Sequence, residues 1–281
     1  MRSSVIFVIP SLINICSGEA EFQISWPTGE PPRVPVELGG DDSRIVEMDL
    51  DFSSGSVSIA SENLPNSISL LDINTESTRL DSTDTRPFVT DPRVSNRYRS
   101  TEGSIGLGFR SAFSEAFGKA IILPQGDSYR LVADYEDLEN LYCDPGSIGY
   151  VPINDLEGDG IVRAIFRFES DQRTVFSGEL DLTIGKQAPT TLPASLYEYL
   201  LQYALHGDCN DLSRWPRIHF IMGGMNLVLT AEDYLTIHDE GCAVNFLRAP
   251  GESIALGTET LRSLGFIIDY ENSRYGFCDP L

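Results

Sequence analysis

The sequence predicts a mostly β protein with a few short helices. Three observations carry that expectation: apolar residues recur with period two in several segments, turn-forming residues punctuate those segments, and only two stretches have helical spacing. In chain order the expected strands are VPVEL at 34–38, RIVEMDLDF at 44–52, SVSIA at 56–60, GIVRAIFRFES at 160–170, RIHFIM at 217–222 and FIIDY at 266–270. Successive side chains of a strand point to opposite faces, so this alternation buries one face and leaves the other wet. Gly39-Gly40, Asp144-Pro145-Gly146 and Gly223-Gly224 supply turns between them. Helices are expected over 110–120 and 193–205; the second opens on Pro193 and carries an apolar stripe at Leu196, Leu200 and Leu201. From Asp72 to Glu102 the chain is polar, with Pro87 and Pro92 inside it, which predicts a long solvated excursion.

Composition limits the function classes. The chain has 281 residues, 41% of them apolar and 22% charged, which is ordinary for a folded protein. Forty-two acidic against 20 basic residues give a formal charge of -22. Such a charge repels phosphate backbones and anionic membranes and excludes a nucleic-acid-binding role. Its simplest consequence is solubility. The opening MRSSVIFVIPSLINICSGEA has one basic residue, a short apolar run and small residues at Ser17, Gly18 and Ala20. It resembles a secretory signal peptide over residues 1–18, and a retained, buried first strand is the alternative. The run is too short to span a bilayer. The five cysteines, at 16, 143, 209, 242 and 278, contain no Cys-x-x-Cys pair, which argues against zinc. Loss of Cys16 with a leader leaves four, a number suited to two disulfides in an oxidising compartment.

One spelling recurs at long range. Leu50-Asp51-Phe52-Ser53-Ser54-Gly55 and Leu180-Asp181-Leu182-Thr183-Ile184-Gly185 share the pattern Leu-Asp-apolar-[Ser/Thr]-x-Gly. The first is followed by Gly103-Ser104-Ile105-Gly106-Leu107-Gly108-Phe109, the second by Ile254-Ala255-Leu256-Gly257-Thr258. Near the end come Trp215-Pro216-Arg217-Ile218-His219-Phe220 and Phe266-Ile267-Ile268-Asp269-Tyr270-Glu271-Asn272-Ser273-Arg274-Tyr275-Gly276-Phe277. This ordered series resembles the bilobal pepsin-like aspartic peptidases, in which each lobe sets an Asp loop beneath a hydrophobic-hydrophobic-Gly segment. The resemblance implies an N-terminal lobe over 19–140 and a C-terminal lobe over 141–281. It also implies that Cys209 pairs with Cys242, as in the family's C-terminal lobe; parity then pairs Cys143 with Cys278.

Aspartic peptidases need two carboxylates close enough to share a proton, one acting as base toward a bound water while the other donates. The family builds the pair from Asp-[Thr/Ser]-Gly-[Ser/Thr] in each lobe. Here Asp51 keeps the first carboxylate, but Phe52 replaces the hydroxyl residue and Ser53 the glycine. For the second carboxylate two alignments stay open. The repeated spelling selects Asp181, with Leu182 and Thr183 as the same two departures; counting back from Leu192-Pro193 selects Ile184, which leaves no dyad. Neither alignment restores an intact site. The interval between Asp51 and the Ser104-Ile105 segment is also short for the family and holds no Tyr-Gly pair, so its substrate-covering flap is expected to be shortened or replaced.

Other chemistries lack their residues. There is no Gly-x-Ser-x-Gly, and His206, His219 and His238 have no metal-ligand spacing. Asp155, Glu157 and Asp159 begin like a calcium loop, but Phe166 stands where the closing Glu belongs. No cofactor is implied. The expectation is a pepsin-like pseudopeptidase that binds a protein or peptide partner, alone or as a subunit of a larger assembly, in the secretory pathway or outside the cell. The alternative is a divergent endopeptidase working through Asp51 and Asp181.

Overall fold

The computed structural model describes residues 20–27, 29–39, 44–52, 54–59, 67–71, 78–82, 89–90, 103–125, 128–134, 138–154, 161–170, 173–184, 189–206, 209, 211–222, 225–238, 241–262 and 264–281. The apolar positions of RVPVEL and RIVEMDLD dictate its first sheet. Val34, Val36 and Leu38 on Arg33–Leu38 and Met48 and Leu50 on Arg44–Asp51 are all buried, and the two strands pair antiparallel with Val36 opposite Val46. Each buried aliphatic side chain of this size stabilises the fold by about 1.5–3 kcal/mol.

That hairpin lies inside a seven-stranded sheet. Its order is Thr78–Asp81, Ser67–Leu70, Arg33–Leu38, Arg44–Asp51, Gly103–Gly106, Val57–Ile59 and Val89–Thr90. The second half of the chain builds another, ordered Met225–Leu229, Arg217–Met222, Val162–Ser170, Arg173–Ile184, Ile254–Leu256, Thr191–Leu192 and Leu247–Arg248. Taken in chain order, the strands occupy the same places in both sheets. In each, the second strand of the first hairpin runs parallel to a late strand, Gly103–Gly106 in one and Ile254–Leu256 in the other. The two halves therefore share one repeated topology.

A six-stranded sheet joins the halves in the order Ala20–Ile24, Ser128–Asp134, Lys119–Gln125, Gly265–Asp269, Arg274–Cys278 and Gly149–Pro152. Its central pair, with Ile121 opposite Ile267 and Ile122 opposite Phe266, takes one strand from each half. The core is correspondingly continuous: Phe22, Leu50, Phe166, Leu256 and Phe266 belong to one buried apolar cluster. The architecture is mostly β with short helices, as the sequence predicts.

The helix over 194–206 follows Pro193 as expected, and Leu196 and Leu200 of its stripe are buried. The other expected helix is confined to Ala112–Ala116. Ser111 caps it by accepting from the Ser114 N–H at 3.0 Å, and Phe117 is already extended, leading through Gly118 into the strand Lys119–Gln125. The excursion expected over 72–102 also contributes structure, because Thr78–Asp81 and Val89–Thr90 are strands of the first sheet. Thr78–Asp81 forms a hairpin with Ser67–Leu70 whose tip lies outside the described residues, as do residues 1–19 and 155–160. Both disulfides are present. Cys143 bonds Cys278, tying the segment between the halves to the last strand, and Cys209 bonds Cys242 within the second half.

Candidate active site

Asp51 ends its strand with its neighbours fixed by backbone contacts. The Leu107 N–H donates to Asp51 O at 2.8 Å, Gly108 N–H to Ser54 O at 2.8 Å and Gly106 N–H to Ser56 O at 3.0 Å. This close approach requires glycine, since a Cβ on Gly106 would lie 2.3 Å from Ser54 O. The loop after Asp51 is thus pinned onto the Ile105-Gly106-Leu107 segment, as the sequence resemblance implied. Asp51 itself is only 8% exposed. Two residues earlier Asp49 is buried too, with Arg33 Nε 3.1 Å from its Oδ1 and the same guanidinium bonded to Glu30.

Phe52, the next residue, is fully buried, and its ring meets that of Phe266 edge to face with centroids 5.5 Å apart. It anchors the loop onto the six-stranded sheet through apolar contact. The halves are also joined by Tyr270, whose hydroxyl donates to Leu107 O at 2.9 Å and whose ring packs on Phe109.

In the second half, Leu182, Thr183 and Ile184 pair with Ile254, Ala255 and Leu256. In the first, Asp49, Leu50 and Asp51 pair with Ser104, Ile105 and Gly106. Matching Ile105-Gly106 to Leu256-Gly257 brings Leu50 onto Ile184 and Asp51 onto Gly185; Asp181 falls on Glu47, inside the strand. Asp181 faces Arg163 across the hairpin, with Nη1 and Oδ1 3.1 Å apart and side-chain exposures of 56% and 49%. It is a surface ion pair. Behind the loop, Thr190 is buried, accepts from the Gly257 N–H at 2.7 Å and lies 2.8 Å from the Thr260 hydroxyl. Thr190 thus ties the far end of the second loop to the Gly257 turn. Residues 185–188 and Ser53 lie outside the described set.

A buried polar cluster underlies the junction of the halves, and sequence reasoning did not find it. Lys119 Nζ lies 2.9 and 2.8 Å from the two oxygens of Glu139, and the Tyr150 hydroxyl donates to Glu139 at 2.5 Å. Arg274 stacks on the Tyr150 ring at 3.7 Å and bonds Asp269 at 2.7 Å, and Asn272 donates to Asp269 as well. Burial alone would raise the Glu139 and Asp269 carboxyls. The bonds from Lys119 and Tyr150, and those from Asn272 and Arg274, outweigh it and hold both below their ordinary values. Burial, reinforced by the bond to Glu139, pushes the Tyr150 phenol up. The sequence signal was the spacing Asp269-x-x-Asn272-x-Arg274 within the family-like ending.

Residues 170–279 match the family model of the eukaryotic aspartyl proteases. The match covers the second sheet from Arg173–Ile184 onward, together with Gly265–Asp269 and Arg274–Cys278 of the six-stranded sheet. A comparison with curated proteins found no match. Nothing in that match bears on the first aspartate loop, which is carried by the repeated topology.

Proposed function

We propose that this aspartyl-protease-like protein does not hydrolyse peptides and acts instead as a binding protein built on the peptidase scaffold. The observation that carries the proposal is the strand register: it supports Gly185, not Asp181, as the counterpart of Asp51. Asp181 pairs with Arg163 at the surface instead, and the acid and base roles of the reaction need two carboxylates that share a proton. Phe52 and Ser53 add to this, because they replace the hydroxyl and glycine that orient the family's carboxylate, and displacement by about 1 Å costs a catalyst roughly a hundredfold.

On this reading the halves divide near residue 140, between the strand ending at Asp134 and the one beginning at Gly149. The two disulfides favour an oxidising compartment, hence the secretory pathway or the extracellular space, with residues 1–18 as the leader. The ligand is a protein or peptide, the class that the resemblance to peptidases implies. The test is incubation with an unfolded protein substrate across about pH 3–6, the range in which a carboxylate dyad works. No cleavage above that of Asp51→Asn is expected. Acid-dependent cleavage by the parent that Asp51→Asn abolishes overturns the proposal in favour of an active endopeptidase.

A further inference from the structure

The two seven-stranded sheets differ at one corresponding edge. An edge strand presents unpaired backbone N–H and C=O groups, and natural proteins guard it with charge, proline, shortness or cover. In the first half the outermost strand Thr78–Asp81 carries Arg79 and Asp81, both exposed and bonded to each other at 2.8 Å. Its counterpart in the second half, Met225–Leu229, reads Met-Asn-Leu-Val-Leu and has no charge and no proline. The other edges of the three large sheets are guarded. Val89–Thr90 and Leu247–Arg248 have two residues each, Ala20–Ile24 carries Glu21 bound to Arg130 at 3.2 Å, and Gly149–Pro152 ends in an exposed proline.

Beside the unguarded edge lies an apolar strip on the outward face. Ile165 and Ile221 are direct cross-strand partners, Val228 lies diagonally beyond, and Ile165 and Val228 are 45% and 36% exposed. At its Met225 end the strand meets Gly149 of the six-stranded sheet.

We propose that Met225–Leu229 is a docking edge that takes an extended, positively charged segment of a partner protein as an eighth strand. The backbone supplies the hydrogen bonds, and alternate side chains of the added strand pack beside Val228, extending the Ile165–Ile221–Val228 strip outward. The charge of the chain selects the occupant. At -22, a second copy is repelled, whereas a cationic segment is drawn in. The edge is separate from the aspartate loops, and the proposal holds whether or not those loops hydrolyse anything.

The experiment transplants the first half's guard. Asn226→Arg with Val228→Asp reproduces the Arg-x-Asp spacing at two exposed positions and leaves the net charge unchanged, so the long-range field is constant. The probe is a capped Lys-Val-Lys-Val-Lys-Val peptide, read by titration and by amide hydrogen exchange. In the parent the peptide slows exchange in residues 225–229 by about tenfold or more. In the guarded variant, with thermal unfolding and circular dichroism as the check on folding, that protection is lost and affinity falls by about tenfold. Unchanged affinity in the guarded variant, protection confined to other strands, or equal binding of a Glu-Val-Glu-Val-Glu-Val peptide overturns the proposal. So does a parent dimer in sedimentation that the guard abolishes, which makes the occupant a second copy.

Discussion

Phe52 and Phe266 stand edge to face, ring centroids 5.5 Å apart, where the first aspartate loop meets the sheet shared by both halves. Phe266 also packs on Tyr275 and Phe277, so the residue after Asp51 is keyed into an aromatic layer. Apolar burial of Phe52 holds the loop. Phe52→Thr therefore lowers stability. Truncating a buried Phe costs about 3–5 kcal/mol, and apolar surroundings leave the Thr hydroxyl unsatisfied. Chemical denaturation of parent and variant checks this; a neutral change would mean that Phe52 is not buried as described.

Asp181 is predicted to be nearly dispensable for stability. Its bond to Arg163 joins two half-exposed side chains, and such pairs contribute about 0–1 kcal/mol, less in high salt. Asp181→Asn should stay within that range in a double-mutant cycle with Arg163→Gln. A loss of several kcal/mol would place Asp181 in a buried site.

The disulfides rank by the loops they close. Cys209–Cys242 spans 33 residues and Cys143–Cys278 spans 135, so the chain-entropy relation gives about 4 and about 5 kcal/mol. Replacing each pair with serines should lower the denaturation midpoint, the second pair more. Non-reducing peptide mapping that shows either cysteine pair exchanged would contradict both values.

Acid should weaken the junction between the halves. A carboxyl whose folded pKa is depressed adds stability above its unfolded value, and that stability is lost as pH falls toward the folded value. Asp269 and Glu139 are both depressed, which sets the loss below about pH 4. Asp269→Asn should cost about 1–3 kcal/mol near neutrality, and the difference from the parent should shrink below pH 4 as the parent carboxyl protonates. Denaturation midpoints measured at several pH values test the sign; a gap that widens in acid contradicts it.

Much of the fold was legible because burial writes a period-two pattern. Val34–Leu38, Arg44–Asp51, Val162–Ser170 and Arg217–Met222 all appear within two residues of where alternation put them. Lys119–Gln125 and Ser128–Asp134 were not named. Ala120-Ile121-Ile122-Leu123 is buried on both faces in the middle of the six-stranded sheet, and a continuous apolar run carries no alternation. The second aspartate position was the least legible part of the site. The spelling Leu180-Asp181 copies Leu50-Asp51, but equivalence is set by which residues pair with Ile105 and Leu256, a long-range register that local sequence does not encode. The count back from Leu192-Pro193 reached Ile184, one residue from Gly185, because the loop after Ile184 is one residue shorter than the loop after Leu50.

The central claim is that Asp51 and Asp181 do not form a proton-sharing dyad, and the measurement that tests it most directly is their carboxylate separation in a crystal grown in acid, where a dyad would share its proton. The account predicts Asp181 against Arg163 and well outside hydrogen-bond reach of Asp51. Carboxylate oxygens at about 3 Å, the spacing of a shared proton, would contradict it.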